Sequence, residues 1–307
     1  MRKTLTYFMI LFMLFSCNNK NSYSFYDKKL NENIEDVKAF KFDETEKIVS
    51  LLEPYIYVFD SKKKIKIGDS KFGGTPDLPQ SLNWPKFNNN PMVFFGQINL
   101  EHISFLHKNE YLPKEGILYF FSYFKNPENE YGAEYLFQIP KTEYKVLYYA
   151  GSISDLRKTK FPKELIKKYQ FKQTAIEYEL DFRLPCSNFG WKYQQASFTD
   201  NDKSTMTEFI ERFDDYCMSE VILGIPAPIQ DDLEYDWSYA YLESLDYHNE
   251  EIKEQVNILR PQFINLFSFS MYDRFDTIGI SECYFGIKKE DLKNKDFDKT
   301  IFVMQGT

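Results

Sequence analysis

The sequence predicts an α+β protein, mostly antiparallel or mixed β-sheet with flanking helices. Three observations carry the prediction. Short runs rich in aromatic and β-branched side chains recur along the chain, each bounded by Gly, Pro, Asn or Lys. One stretch, 175–184, alternates strictly: Ile176, Tyr178, Leu180, Phe182 and Leu184 on one face, Glu177, Glu179, Asp181 and Arg183 on the other. That pattern belongs to a half-buried antiparallel strand. Between the runs, capping boxes and prolines delimit short helices. A chain 43% hydrophobic and 27% charged is globular rather than disordered, and 30 Phe and 23 Tyr suit a pleated, half-buried surface.

In chain order, Asp43-Glu44-Thr45-Glu46 has the form of a capping box and opens a helix that stops before Pro54. Residues 55–60 read as a strand, 61–64 as a turn and 65–69 as another strand. Strands follow at 92–100, 116–124, 134–139 and 144–150, then a short helix at 161–169 with Pro162 in its first turn, then the alternating strand. Thr205-Met206-Thr207-Glu208 is a second capping box, opening a helix over 208–218. A third helix covers 248–259 and ends at Pro261. The tail gives strands at 264–272, 282–289 and 300–305, with a helical turn at 290–294. Gly74-Thr75-Pro76 precedes two strands in the first half, and Gly224-Ile225-Pro226 precedes two in the second. The echo predicts an internal duplication, two related sheet units sharing one core, with halves 43–185 and 186–307.

The N-terminus reads as an address. Arg2 and Lys3 precede an apolar run from Leu5 to Phe15, too short for a comfortable membrane span but suited to a secretory signal. Leu14-Phe15-Ser16-Cys17 resembles a bacterial lipobox, which implies a signal peptide over 1–16 and lipidation at Cys17. An ordinary cleaved signal beside a chance cysteine is the other reading. Residues 18–33 are polar and aperiodic, so 17–42 is expected to be a flexible tether ahead of a domain over 43–307. No acidic run follows Cys17, which favours an envelope protein anchored to the membrane and facing the periplasm. Net charge is −8, and removing 1–16 with Arg2 and Lys3 leaves −10. On net charge alone this is a poor candidate for nucleic acid or a peripheral grip on anionic lipid, and a reasonable one for a basic protein partner. Beyond Cys17 remain Cys186, Cys217 and Cys283, which allow one disulfide or three buried thiols.

One stretch is more specific. Residues 70–85, SKFGGTPDLPQSLNWP, followed by PMVFFGQINL, resemble the YwqG-like family of bacterial proteins through Ser70, Lys71, Phe72, Gly73, Gly74, Pro76, Leu78, Pro79, Trp84, Pro85, Gln97, Ile98 and Asn99. Residues 112–121, 223–232 and 284–305 resemble later segments of that family, so the likeness spans about 45–307. It implies a mixed sheet-and-helix fold and no settled activity. This chain departs from it at 266–272, where LFSFSMY replaces a Gln and acidic residues, and at 276–281. Gly73 and Gly74 permit positive φ, while Pro76, Pro79 and Pro85 fix φ, so the stretch is a stiff loop. Such a loop either docks Trp84 as a lid on the core or holds it out, beside Gln97, for a ligand.

No motif names a reaction. His102, His107 and His248 fit no zinc pattern, no Gly-x-Ser-x-Gly occurs, and no phosphate loop follows the paired glycines. No metal, cofactor or catalytic residue is therefore assigned. The densest feature is 230–251, where Asp231, Asp232, Glu234 and Asp236 interleave with Tyr235, Trp237 and further tyrosines, with no Lys or Arg. Aromatic rings beside acids suit a cationic partner. A helix with an aromatic core face and an acidic outer face is the alternative. The sequence thus predicts a lipid-anchored, non-catalytic binding protein, immunity-like against a basic protein. An envelope hydrolase or carbohydrate-binding protein with a pocket near Trp84 is the second reading, and a structural lipoprotein the third.

Overall fold

A computed structural model describes residues 19–124, 139–184, 196–211, 220–224, 226, 228–230, 232–244, 246–275 and 281–306. Its strands are β1 (Glu53–Ser61), β2 (Lys71–Phe72), β3 (Asp77–Pro79), β4 (Lys86–Phe87), β5 (Asn90–Pro91), β6 (Val93–Asn99) and β7 (Ile117–Ser122). Then come β8 (Tyr144–Tyr149), β9 (Leu156–Lys158), β10 (Thr174–Arg183), β11 (Val221–Leu223), β12 (Phe263–Ser270), β13 (Ser281–Lys288) and β14 (Ile301–Gly306). The helices are α1 (Asn19–Lys38), α2 (Thr45–Val49), α3 (Asp200–Glu211), α4 (Leu233–Tyr241), α5 (Glu250–Leu259), α6 (Met271–Phe275) and α7 (Lys289–Lys293). This is the α+β class, with the sheet antiparallel throughout.

Ten strands form one sheet in the order β8-β7-β6-β2-β10-β1-β11-β12-β13-β14. Read from either end, the order has the same plan: three strands, a short strand, then a long central one. Position by position, β8, β7, β6, β2 and β10 on one side answer β14, β13, β12, β11 and β1 on the other. The strand order is thus pseudo-symmetric, as two related sheet units would make it, but β10 (Thr174–Arg183), expected in the half 43–185, answers β1 and falls with the later strands. Finer marks agree. Gly73 and Gly74 after β2 have φ of 58° and 68°; Leu223 and Gly224 at the end of β11 have 60° and 46°. The β6–β7 ladder slips at Phe95 and the β12–β13 ladder at Leu266. Each bulge lies two residues before the position that pairs with the short strand, Gln97 with Lys71 and Ser268 with Val221. On this alignment Phe120 answers Phe285, and the two rings meet edge to face at 5.1 Å.

The sheet curls until it nearly closes. Phe120 also packs on Phe267, and Phe95 on Phe302, across strands far apart in sheet order. At the seam between β8 and β14, Ile139 donates its N–H to the Phe302 carbonyl at 3.3 Å, and the Tyr144 hydroxyl donates to the Thr300 carbonyl at 2.7 Å. The inner face is the main core, built from Ile56, Phe72, Phe95, Phe120, Leu180 and Phe285, among others. Two smaller cores lie on the outer face, one over β6–β7 and one over β12–β14.

Four local expectations need correction. The helix expected to open at the Thr205–Glu208 capping box begins instead at Asp200, where the Thr199 hydroxyl accepts from the Asp202 N–H at 3.0 Å, and Thr205 lies inside it; residues 212–218 of the expected helix lie outside the described residues. Residues 65–69 carry a turn at 67–68 rather than a strand, because Gly68 takes φ 85° and the Asp69 carboxylate accepts from the Lys66 N–H at 2.7 Å. Residues 161–169 hold only a 3-10 turn at Lys167–Tyr169; Leu165, Tyr169 and Phe171 all point to the core, a spacing that suits a strapped loop. The stretch expected to be a tether contains α1, which docks through Tyr26, Leu30 and Val37. Asn33 donates to Asp181 at 2.9 Å, and Tyr26 meets Phe182 edge to face at 4.9 Å. Its apolar residues are too few to give a visible period, and tertiary contacts decide the helix. The strand expected at 134–139 lies, apart from Ile139, outside the described residues. So do Cys186 and Cys217. Cys283 is a free, fully buried thiol whose pKa burial pushes well up. No helix among the described residues is long and apolar enough to cross a membrane.

Candidate functional site

The stiff loop is built inward. Gly73 donates its N–H to the Phe95 carbonyl at 2.7 Å and Gly74 to the Phe171 carbonyl at 2.9 Å. A Cβ on Gly73 would lie 2.4 Å from the Lys172 carbonyl oxygen, so the close approach and the positive φ both demand glycine. The carbonyl of Pro76 accepts from Thr159, Pro79 lies in β3 against β9, and the carbonyl of Pro85 accepts from Met92. Between them the chain buries a polar knot. The Lys71 ammonium sits 2.8 Å from the Asp77 carboxylate, both side chains 1% exposed. Gln97 donates to the same carboxylate at 2.9 Å and accepts from the Asp77 N–H, while the Gly68 N–H donates to it at 3.1 Å. Burial pulls the Lys71 pKa below its ordinary value, against the pull of Asp77. A knot so completely bonded holds four loop segments in place. It has no face to offer a ligand.

Trp84 is the lid of the first outer core. Its indole N–H donates to the Met92 carbonyl at 2.8 Å, and its ring packs on Phe94, Phe121 and Phe161 at 5.8–6.3 Å. Gln97, expected beside Trp84 in a pocket, is fully buried, and the half-buried Trp84 packs on the core rather than standing out from it. In the second unit the answering position to Phe121 is Gly286, and there Trp237 lies directly on the strand, where a Cβ would come 2.3 Å from its ring. The two tryptophans close equivalent outer cores.

The aromatic–acidic segment divides. Asp232 caps α4, accepting from the Tyr235 N–H at 3.0 Å, and pairs with Arg260 at 2.8 Å with both side chains 8% exposed. Burial raises its carboxyl pKa while Arg260 opposes the rise. Asp236 accepts from Gln305 at 2.7 Å, and Glu234, Asp236 and Trp237 are all buried. These residues form a structural knot rather than the expected charged surface, because α4 is buried against β12–β14 on the face that carries them. Asp231 lies outside the described residues, as does Cys17.

What stays exposed lies further along. Glu243, Asp246, Glu250, Glu251 and Glu254 face solvent, with Tyr241 37% and Ile258 62% exposed beside them. Lys253 is held by Glu250 at 2.7 Å. This face is the exposed end of the 230–251 acidic–aromatic segment, extended by Glu254, while Asp232, Glu234 and Asp236 at its other end are buried. Among the described residues no group of three or more His, Cys, Asp or Glu is placed to hold a metal ion.

Compared with known proteins, the chain finds no match among curated sequences. Residues 70–306 match a family described as Domain of unknown function (DUF1963). The match begins at the Ser70 of the stiff loop and takes in every strand from β2 to β14. The chain belongs to the DUF1963 family.

Proposed function

We propose that this protein is a lipid-anchored envelope protein, YwqG-like in family, that acts as a non-catalytic binding module for a basic protein. The exposed acids at 243–254 around Ile258 carry the reading, with Tyr241 beside them under the Lys288 ammonium at 4.7 Å. Aromatic and aliphatic area supplies contact energy, and a rim of one charge sign steers a cationic partner. The anchor rests on Leu14-Phe15-Ser16-Cys17 and faces the domain toward the periplasm. The packing of Trp84 on the core favours a surface over a pocket.

The test is a crosslinked pull-down from the protein's own membranes, read by mass spectrometry, beside an Asp246→Lys, Glu250→Lys, Glu251→Lys, Glu254→Lys variant. Expected is one basic protein enriched on the native chain and at least about tenfold depleted on the variant, since opposed charges at a rim act mainly through association. Equal recovery on both would defeat the surface. Radiolabelled fatty acid incorporated as strongly by a Cys17→Ala chain as by the native one would defeat the anchor.

A further inference from the structure

Net charge conceals a second face of opposite sign. The turn after β1 carries Lys62, Lys63, Lys64 and Lys66, all exposed. From Arg157 to Lys172 the chain carries six lysines and an arginine against one acid, Glu164. The fold brings these segments together. Ser61 pairs with Ala175, so Lys62 sits beside the start of β10, next to Lys172 and Gln173. Lys158 donates to the Gln173 side chain at 3.3 Å. The backbone at Gly68 lies against Ile153, where an added Cβ would come within 2.9 Å of its side chain. Both ends of the loop between β9 and β10 are tied to the stiff loop, Thr159 to Pro76 and Phe171 to Gly74, and its Lys160, Lys163, Ile166 and Lys167 are exposed.

Three exposed isoleucines stand among these cations: Ile67 at 48%, Ile153 at 44% and Ile166 at 47%. Lys63 pairs with Glu177, and Asp69 is turned inward onto the Lys66 N–H. Lys62, Lys64, Lys66, Lys160, Lys163 and Lys167 hold no ion pair among the described residues. A chain of net charge −8 thus concentrates unpaired lysines where it also exposes apolar side chains.

We infer that this face docks on a bilayer surface of anionic phospholipid, with Ile67, Ile153 and Ile166 entering the headgroup layer and the lysines lying over it. The chemistry selects this occupant. Lysine is a hydrated point charge suited to a diffuse anionic surface, whereas bidentate phosphate recognition in nucleic acid favours arginine, and here only Arg157 is available. Exposed aliphatic tips gain by entering acyl boundary and gain nothing on a nucleic-acid backbone. The inference does not depend on lipidation at Cys17.

The experiment is sedimentation of the full Cys17→Ser chain with neutral phosphatidylcholine vesicles and with vesicles containing anionic phosphatidylglycerol. The N-terminal segment, with Arg2 and Lys3, is common to the native and variant chains, so the change between them in the ratio of the two affinities is the readout. Expected is a clear preference for anionic vesicles that falls with salt. In a Lys62→Glu, Lys64→Glu, Lys163→Glu, Lys167→Glu variant the ratio should drop at least about five-hundredfold, from the roughly fivefold that each of four surface lysines contributes. An Ile67→Ser, Ile153→Ser, Ile166→Ser variant should retain less binding at high salt than the native chain, the N-terminal segment being common to both. All sites are exposed, and an unchanged thermal transition verifies folding in each. Equal binding to both vesicle types, or a ratio untouched by charge reversal, would overturn the inference. So would stronger competition by a single-stranded oligonucleotide than by anionic vesicles of equal charge.

Discussion

At the scale of single residues, buried polar groups define this protein more than exposed ones do. His107 shows how one such group sets behaviour in acid. It is 7% exposed, its Nδ1 accepts from the Asn109 N–H at 3.2 Å, and its Nε2 has no partner among the described residues. Burial lowers its pKa from 6.5 to about 4, with nearby Lys114 pushing the same way. The unfolded chain therefore binds a proton between these values and the folded one does not. Stability from the neutral ring is fully present above pH 6.5 and is lost as pH falls toward about 4, by on the order of 3 kcal/mol. Urea unfolding across that range should show a steeper acid loss in the native chain than in His107→Gln; parallel curves would refute the assignment. The sequence showed this histidine only as one that fits no zinc pattern. Likewise Lys71 was legible as part of a motif, while its burial against Asp77 was not, because nothing in a linear pattern distinguishes a lysine that will be enclosed from one that will be solvated.

At the scale of elements, strands were read well and their covers less well. The runs that became β1, β6, β7, β8, β10, β12, β13 and β14 announce themselves through β-branched and aromatic content. The two-residue strands β2, β4 and β5 have too few side chains to show a period, and α1 is too polar. The acidic character of 231–236 misled for a related reason: a helix cap and a buried ion pair use the same residues as a solvated face. The cover over the second unit also makes a prediction. Trp237 lies against Gly286, and a methyl group there would meet the indole ring at 2.3 Å. The ring is large, wholly buried and pinned between α4 and β13, so it cannot yield locally. Gly286→Ala should cost roughly 2–4 kcal/mol, the upper range for overpacking a tight site. Thermal unfolding measures it, and near-ultraviolet dichroism of the tryptophans reports the displacement. A change below about 0.5 kcal/mol, the ordinary scatter of harmless surface changes, would mean that the contact is loose.

At the scale of the whole molecule, duplication does not give two independent halves. Each central strand is paired away from its own unit. β1 has β10 on one side and β11 on the other, both from the second unit; β10 has β1 and β2, both from the first. The inner core follows the same rule, with Phe95 and Phe120 of one unit packed on Phe267, Phe285 and Phe302 of the other. A unit on its own would leave one long strand without either ladder and half of the core facing water, a state with too little burial to offset chain entropy. Separating the chain within the exposed loop, between Lys163 and Glu164, tests this. The fragments 18–163 and 164–307 should each lack a cooperative unfolding transition. Refolded together, they should regain one, along with the near-ultraviolet spectrum of the intact chain. A fragment that unfolds cooperatively alone would show that a unit can complete its own sheet, which requires β1 or β10 to pair differently. The interlock also bears on the two proposed faces. The basic face at 62–67 and 153–172 is assembled across the β1–β10 pair and requires both units, whereas the acidic face at 243–254 is confined to the second. Fragment 164–307 should therefore fail on anionic vesicles in the way the charge-reversed chain does, and recover when fragment 18–163 is added.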